Sequence, residues 1–196
     1  MNPKYLLALA GVAALLVAGC GDDDNSTDNA TAAAGNPIDR AFIADMIPHH
    51  ESAVQMAKIA QRRGSSTFVK QLADDIVRTQ TEEIATMRAR DQALVAADVE
   101  RGSLGMSAQM MGMDHDASSL NGATPFDPAF LRMMIPHHQG AVVMANAELK
   151  RGKDPELRAL ARDIITGQQR EIREMREHLA DSAAGGMHQG GGHGSG

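Results

Sequence analysis

Phe42-Ile43-Ala44-Asp45-Met46-Ile47-Pro48-His49-His50 returns later in the chain as Phe130-Leu131-Arg132-Met133-Met134-Ile135-Pro136-His137-His138. The offset is 88 residues, from Asp39 to Asp127, and it holds without insertion to Arg88 and Arg176, with roughly half of the aligned positions identical. A duplicated unit that cannot bury its own apolar face must bury it against its copy, so the repeats are expected to share one core about a pseudo-two-fold axis. Within each repeat the apolar spacing is helical. Phe42, Met46, His49, Ala53, Met56 and Ala60 follow one another in steps of four and three, as do Val69, Leu72, Ile76, Gln80, Glu83 and Met87. Gly64 and Gly152 end the first helices in the manner of left-handed C-terminal residues. Ser66 and Asp154-Pro155 open the second helices as caps and first-turn proline. Pro48 and Pro136 fall inside the first helices, where a kink or restart is expected. The fold class is therefore all-α: a four-helix bundle over residues 37–182, built from two duplicated helical hairpins. Repeat one spans 39–88, a Met-rich linker 89–126, and repeat two 127–176.

The ends of the chain read differently. Lys4 precedes an almost wholly apolar run from Tyr5 to Val17, too short to span a bilayer and of signal-peptide length. The run ends in Leu16-Val17-Ala18-Gly19-Cys20, which resembles the lipobox of bacterial lipoproteins. That resemblance implies that residues 1–19 are a lipoprotein signal peptide, that Cys20 is the lipidation site, and that the chain is extracytoplasmic and membrane-anchored. Residues 20–36 are polar and aperiodic and read as a disordered tether; the Gly/His-rich residues 183–196 read as a disordered tail. Cys20 is the single cysteine, so disulfides and thiolate metal sites are excluded from the mature fold. A net charge of -6 with 3% aromatic residues argues against nucleic acid as a partner.

The chain carries 13 Met and 8 His, and their placement is what carries chemistry. His49, Gln80 and Glu83 interrupt stripes that otherwise bury apolar groups, and buried polar groups need partners. With the hairpin turn at Gly64–Ser66, equal depth on antiparallel helices sets His49 opposite Gln80 and Thr81, Met46 opposite Glu83, and Phe42 opposite Met87. Met46, His49, His50, Glu83 and Met87 thus gather at one end of the hairpin, and Met134, His137, His138, Glu171 and Met175 match them in repeat two. Met56 lies about 15 Å from Met46 along the axis, too far to share a metal with it. Like Met144, it reads as core filler and a weaker candidate. Adjacent histidines point about 100° apart on a helix, as a site at a helix seam would use. Imidazole and thioether without thiolate suit copper, Cu(I) above all, with Cu(II) and silver as relatives. Met106, Met110, Met111, Met113 and His115 in the linker form a flexible auxiliary set, with Met187, His188 and His193 in the tail. His178 is placed to favour the negative end of the last helix. Two other readings compete. One is an interaction module whose His–Glu pairs only fix the fold. The other is a di-iron oxidase, which needs more carboxylates and Glu-x-x-His on its helices than this sequence offers. No nucleophile triad, phosphate loop or nucleotide fingerprint appears, so binding rather than catalysis is expected.

Met-Ile-Pro-His-His, followed by Ala-Val-x-Met-Ala and then Gln-x-x-Glu-Ile-x-x-Met, stands in both repeats. The pattern resembles the domain of unknown function 305 family and covers essentially the whole mature chain. The resemblance implies a ferritin-like four-helix bundle, export from the cytoplasm and, for some members, copper binding and tolerance. It carries over to Met46, His49, His50, Met56, Glu83 and Met87, and to Met134, His137, His138, Met144, Glu171 and Met175. The repeats differ at Asp45 and Met133, at Glu51 and Gln139, and at Thr79 and Gly167. Two sites of unequal affinity are therefore expected.

Overall fold

In the computed structural model, residues 35–187 are described, and these carry four long helices. They are α1 (Pro37–Arg63), α2 (Thr67–Ala96), α3 (Phe126–Arg151) and α4 (Pro155–Met187), with one 3-10 turn, Ala117–Gly122, before α3. No strand occurs among the described residues. The helices pair as two hairpins, α1 with α2 and α3 with α4; α1 and α3 pack together next, while α2 and α4 touch sparingly. The expected all-α bundle of two hairpins is the observed architecture. The signal peptide, Cys20 and most of the tether lie outside the described residues, as do His188 and His193. No helix among the described residues is long and apolar enough to cross a membrane.

Local chemistry sets the helix ends. Asn36, at the end of the expected tether, instead caps α1, its side chain accepting from the Ile38 and Asp39 amides while Asp39 closes the capping box. Ser66 accepts from the Val69 amide at 3.1 Å, and Asp154 Oδ1 from those of Glu156 and Leu157 at 3.0 Å. Gly64 and Gly152 do end the first helices, but not in the left-handed region: their φ values are -57° and -69°. Space explains them. A Cβ on Gly64 would meet the Ala60 carbonyl at 2.7 Å, and one on Gly152 the Glu148 carboxylate at 2.1 Å. α1 and α3 run unbroken through Pro48 and Pro136, so no restart occurs. α4 continues past Ala183 to Met187. His178 is consequently not at a helix end but stacks on Phe68 of α2, ring centroids 4.4 Å apart.

The hairpins lock reciprocally. Asp39, in the first turn of α1, accepts the amides of Lys153 and Asp154 at 2.9 Å, holding the α3–α4 turn. Its repeat mate Asp127, at the start of α3, accepts the amides of Ser65 and Ser66 and the Ser65 hydroxyl at 2.8 to 2.9 Å, holding the α1–α2 turn.

The linker is docked rather than flexible, and α2 claims its first residues. Gly102 donates to the Pro37 carbonyl at 2.8 Å, Arg151 to that of Leu104 at 2.9 Å, and Leu104 and Leu120 are buried. At Gly112, with φ of 67°, the linker backbone presses on α3: a Cβ there would meet the Pro136 carbonyl at 2.3 Å, and one on Gly140 the Met111 carbonyl at 1.8 Å. Repeat one has Ser52 where repeat two has Gly140, so α1 lacks the equivalent notch.

Candidate metal centre

The four histidines of the two His-His pairs are buried, each no more than 1% exposed. Their neighbours differ from those that equal-depth reasoning gives. His49 does not turn to α2: its ring lies 3.7 Å, centroid to centroid, from that of its repeat mate His137, tilted by 34°. Its Nε2 is 3.0 Å from the His137 carbonyl, to which it donates. His50 meets the carboxylate instead, Nε2 to Glu83 Oε2 at 2.8 Å, and His138 Nε2 lies 2.7 Å from Glu171 Oε2. The reason is helical geometry: with about 100° between successive side chains, one histidine of each pair faces the α1–α3 contact and the other its own hairpin seam.

Packing also crosses the repeats. Met46 and Met87 share one buried cluster with Met144, while Met134 and Met175 share the other with Met56. Met56 and Met144 thus pack in the cluster that holds the opposite repeat's thioethers. The sequence reading missed this because its depth bookkeeping worked within one hairpin. The signal available to it was the duplication itself, which places every repeat-one residue near an axis shared with repeat two.

The linker supplies one more imidazole. His115 stands edge-on to His137 at 5.6 Å, and Met106 and Met111 pack against the cluster that holds Met46. Met113 is half-buried. Met110 is 53% exposed and is directed away from the core.

Burial disfavours charge on three of these rings. It pushes His49 down to about 3, helped by His50 and His138 and opposed by the carbonyls of His137 and Met111. Burial likewise holds His137 well below the ordinary imidazole value, with His49, His138 and His115 adding to the effect, and lowers His115 against the pull of Asp114. A neutral imidazole keeps a lone pair for a ligand. Ring nitrogens here are idle: Nδ1 of His49 and His138, both nitrogens of His50 and of His137, and Nε2 of His115 are buried without a hydrogen-bond partner. Where Nε2 of His138 carries the proton toward Glu171, Nδ1 is left as the donor atom, the arrangement in which a carboxylate orients a metal-binding imidazole from behind; His50 Nε2 and Glu83 Oε2 are as close but are not aligned as a hydrogen bond. Glu171 sits in that supporting place, and Glu83 stands at the matching position beside His50.

Among the described residues, no three His, Cys, Asp or Glu side chains converge as a ready cage for an ion. A hard cation that wants many oxygens finds no such shell here. The other soft donors in the bundle interior are the buried thioethers, and imidazole with thioether is a soft set.

Comparison with known proteins agrees with this picture of the fold. The chain is 34% identical to CopM in its Cu(I)-bound form, over 73% of this chain and 96% of that one, with a TM-score of 0.63. It is 33% identical to a DUF305 fragment from Deinococcus radiodurans over 75% and 98% of the two chains, TM-score 0.63. It is 29% identical to a DUF305 protein from Streptomyces coelicolor over 74% and 93%, TM-score 0.63. An uncharacterized protein of Acanthamoeba polyphaga mimivirus, L153, is 47% identical over 53 residues; that match spans 35% of the viral protein's length and 27% of this chain. The family profile described as Domain of unknown function (DUF305) matches residues 19–91 and 39–179. The chain belongs to the DUF305 family.

Proposed function

We propose that this protein is a lipid-anchored extracytoplasmic binder of copper, principally Cu(I), which it sequesters or hands on without catalysing a reaction. One observation carries the reading: buried imidazoles with partnerless nitrogens share the bundle interior with two groups of three buried thioethers. Leaving such nitrogens unsatisfied costs stability, so a purely structural bundle gains nothing from them. CopM, solved with Cu(I), Cu(II) and silver bound, supports the choice of metal. The donors fall into two groups. His50, Met46, Met87 and Met144 serve one half of the bundle; His138, Met134, Met175 and Met56 serve the other. His49, His137 and His115 lie between them. The oxidase reading is weaker, because Glu83 and Glu171 already engage imidazoles.

The test is Cu(I) titration under reducing conditions against a coloured chelator. Met46→Leu/Met134→Leu changes a thioether for an apolar group of similar volume, so packing loss stays under about 1.5 kcal/mol while soft donors disappear. Affinity is expected to fall about tenfold or more, and further in His50→Ala/His138→Ala. Unchanged affinity in both double variants would remove the bundle site. In cells, Cys20→Ser is expected to move the protein out of the membrane fraction; retention there would end the anchor proposal.

A further inference from the structure

The bundle is closed unequally on its two faces. Over α3 the linker seals it, with Met111 and Gly112 seated against Gly140 and Pro136. Between α2 and α4, which meet sparingly, a small cleft with room for about one water molecule lies near the pseudo-two-fold axis. Gln80 and Glu83 of α2 line it together with their repeat mates Gln168 and Glu171 of α4. The glutamines are the anomaly. Gln80 is 2% exposed and neither atom of its amide has a partner; Gln168 is 4% exposed and its Oε1 has none. Partnerless buried amides destabilise a fold, and leucine has nearly the same reach on a core stripe. Behind the carboxylates stand the buried rings of His50 and His138.

We propose that this α2–α4 seam is the portal by which a cation enters and leaves the bundle, with the Gln80 and Gln168 amides as its lining. This inference rests on the metal-binding reading above. A cation leaving water must exchange its hydration shell for other oxygens. The amide oxygens and the paired carboxylates offer that exchange at a point where solvent and the buried imidazoles of His50 and His138 come close. Negative charge at the mouth draws cations and turns anions away. Gly167, the repeat mate of Thr79, widens the mouth: a Cβ there has no atom within 4 Å. Arg170 is largely exposed on the outside, 3.7 Å from Glu171 and 3.7 Å from Glu174, so its charge is shared between two carboxylates.

The test separates rate from affinity. Gln80→Leu/Gln168→Leu fills the cleft with apolar side chains and removes the partnerless amides. Cu(I) uptake from a coloured chelate is followed by stopped flow, and the endpoint titration gives affinity. Uptake and release are expected to slow together by about tenfold or more, an added barrier of about 1.4 kcal/mol. Endpoint affinity is expected to stay within about twofold, and the melting temperature of the metal-free variant to hold or rise. Should the leucine pair fail to fold, Gly167→Leu, a substitution into open space that leans over the same mouth, is expected to slow uptake likewise. Unchanged rates in a folded variant overturn the portal while leaving the binding proposal intact. Faster uptake in Gly140→Ser, which unseats the linker, with no effect of the leucines, also overturns it and places entry under the linker. A wild-type chain that takes up no Cu(I) overturns the binding proposal, and the portal with it.

Discussion

At the scale of single residues, the His50–Glu83 and His138–Glu171 pairs decide how the imidazoles present themselves. A carboxylate that accepts from Nε2 fixes the ring and its tautomer and makes Nδ1 a better donor. Glu83→Gln/Glu171→Gln keeps the shape and a hydrogen-bonding oxygen but removes the charge. It is expected to weaken Cu(I) binding by about 10- to 100-fold, with wild-type stoichiometry. Lost stoichiometry would instead make the glutamates ligands themselves, and an unchanged affinity would show them idle. The sequence singled out these histidines and glutamates because they broke apolar stripes. It misassigned their partners, pairing His49 with α2, because helical rotation at a histidine doublet lets either member face the seam. Only the α1–α3 contact, made between residues 88 apart, settles which one does.

At the scale of elements, helix starts were legible because caps are local chemistry: Ser66 and Asp154 act where their residue types predict. The stops were legible for another reason than the one the glycines suggested. Gly152 is needed because the buried Glu148 carboxylate, one helical turn back, fills the space of its Cβ, a demand set by how that side chain is buried and not by the glycine's own conformation. The linker was the larger misjudgement. Its Met, Gly and Ser content reads as loose chain, yet Gly112 and Gly140 remove side chains where two backbones touch. The same kind of long-range tie joins the hairpins through Asp39 and Asp127. Asp127→Ala strands the Ser65 and Ser66 amides and the Ser65 hydroxyl at the opening of α2. A partly buried set of charge-assisted hydrogen bonds of this kind is worth about 2 to 4 kcal/mol. Urea unfolding is expected to show a loss in that range, with Asp127→Asn intermediate. A loss below about 0.5 kcal/mol, the scale of a neutral surface change, would dismiss the lock.

For the whole molecule, two opposed sets of buried groups shape stability against pH. His49 and His137 stay neutral in the native state because burial resists their charging, His49 down to about pH 3. Below the ordinary imidazole value of 6.5 the unfolded chain takes up protons that the native chain refuses. The stability these rings lend is therefore complete above pH 6.5 and drains as pH falls, by about 1.4 kcal/mol per pH unit for each. Glu148 works in the other sense. It is buried beside Asp39 and Asp154; burial first, then the nearness of the Asp39 and Asp154 carboxylates, raises it from 4.5 to about 9. Between those values the native state keeps a proton that the unfolded chain gives up, so stability falls as pH rises. From pH 4.5 to 6.5 the two histidines outweigh the one glutamate and stability climbs. Above 6.5 only the glutamate's slope is left among these groups. The metal-free chain is therefore expected to be most stable near pH 6.5, by urea midpoint across pH 4.5 to 9. Glu148→Gln keeps a neutral side chain of the same size and abolishes the charge that has to be suppressed. It is expected to flatten the decline between pH 7 and 9 and to leave the acid limb as it stands. An equal decline in Glu148→Gln would assign the alkaline limb to other groups.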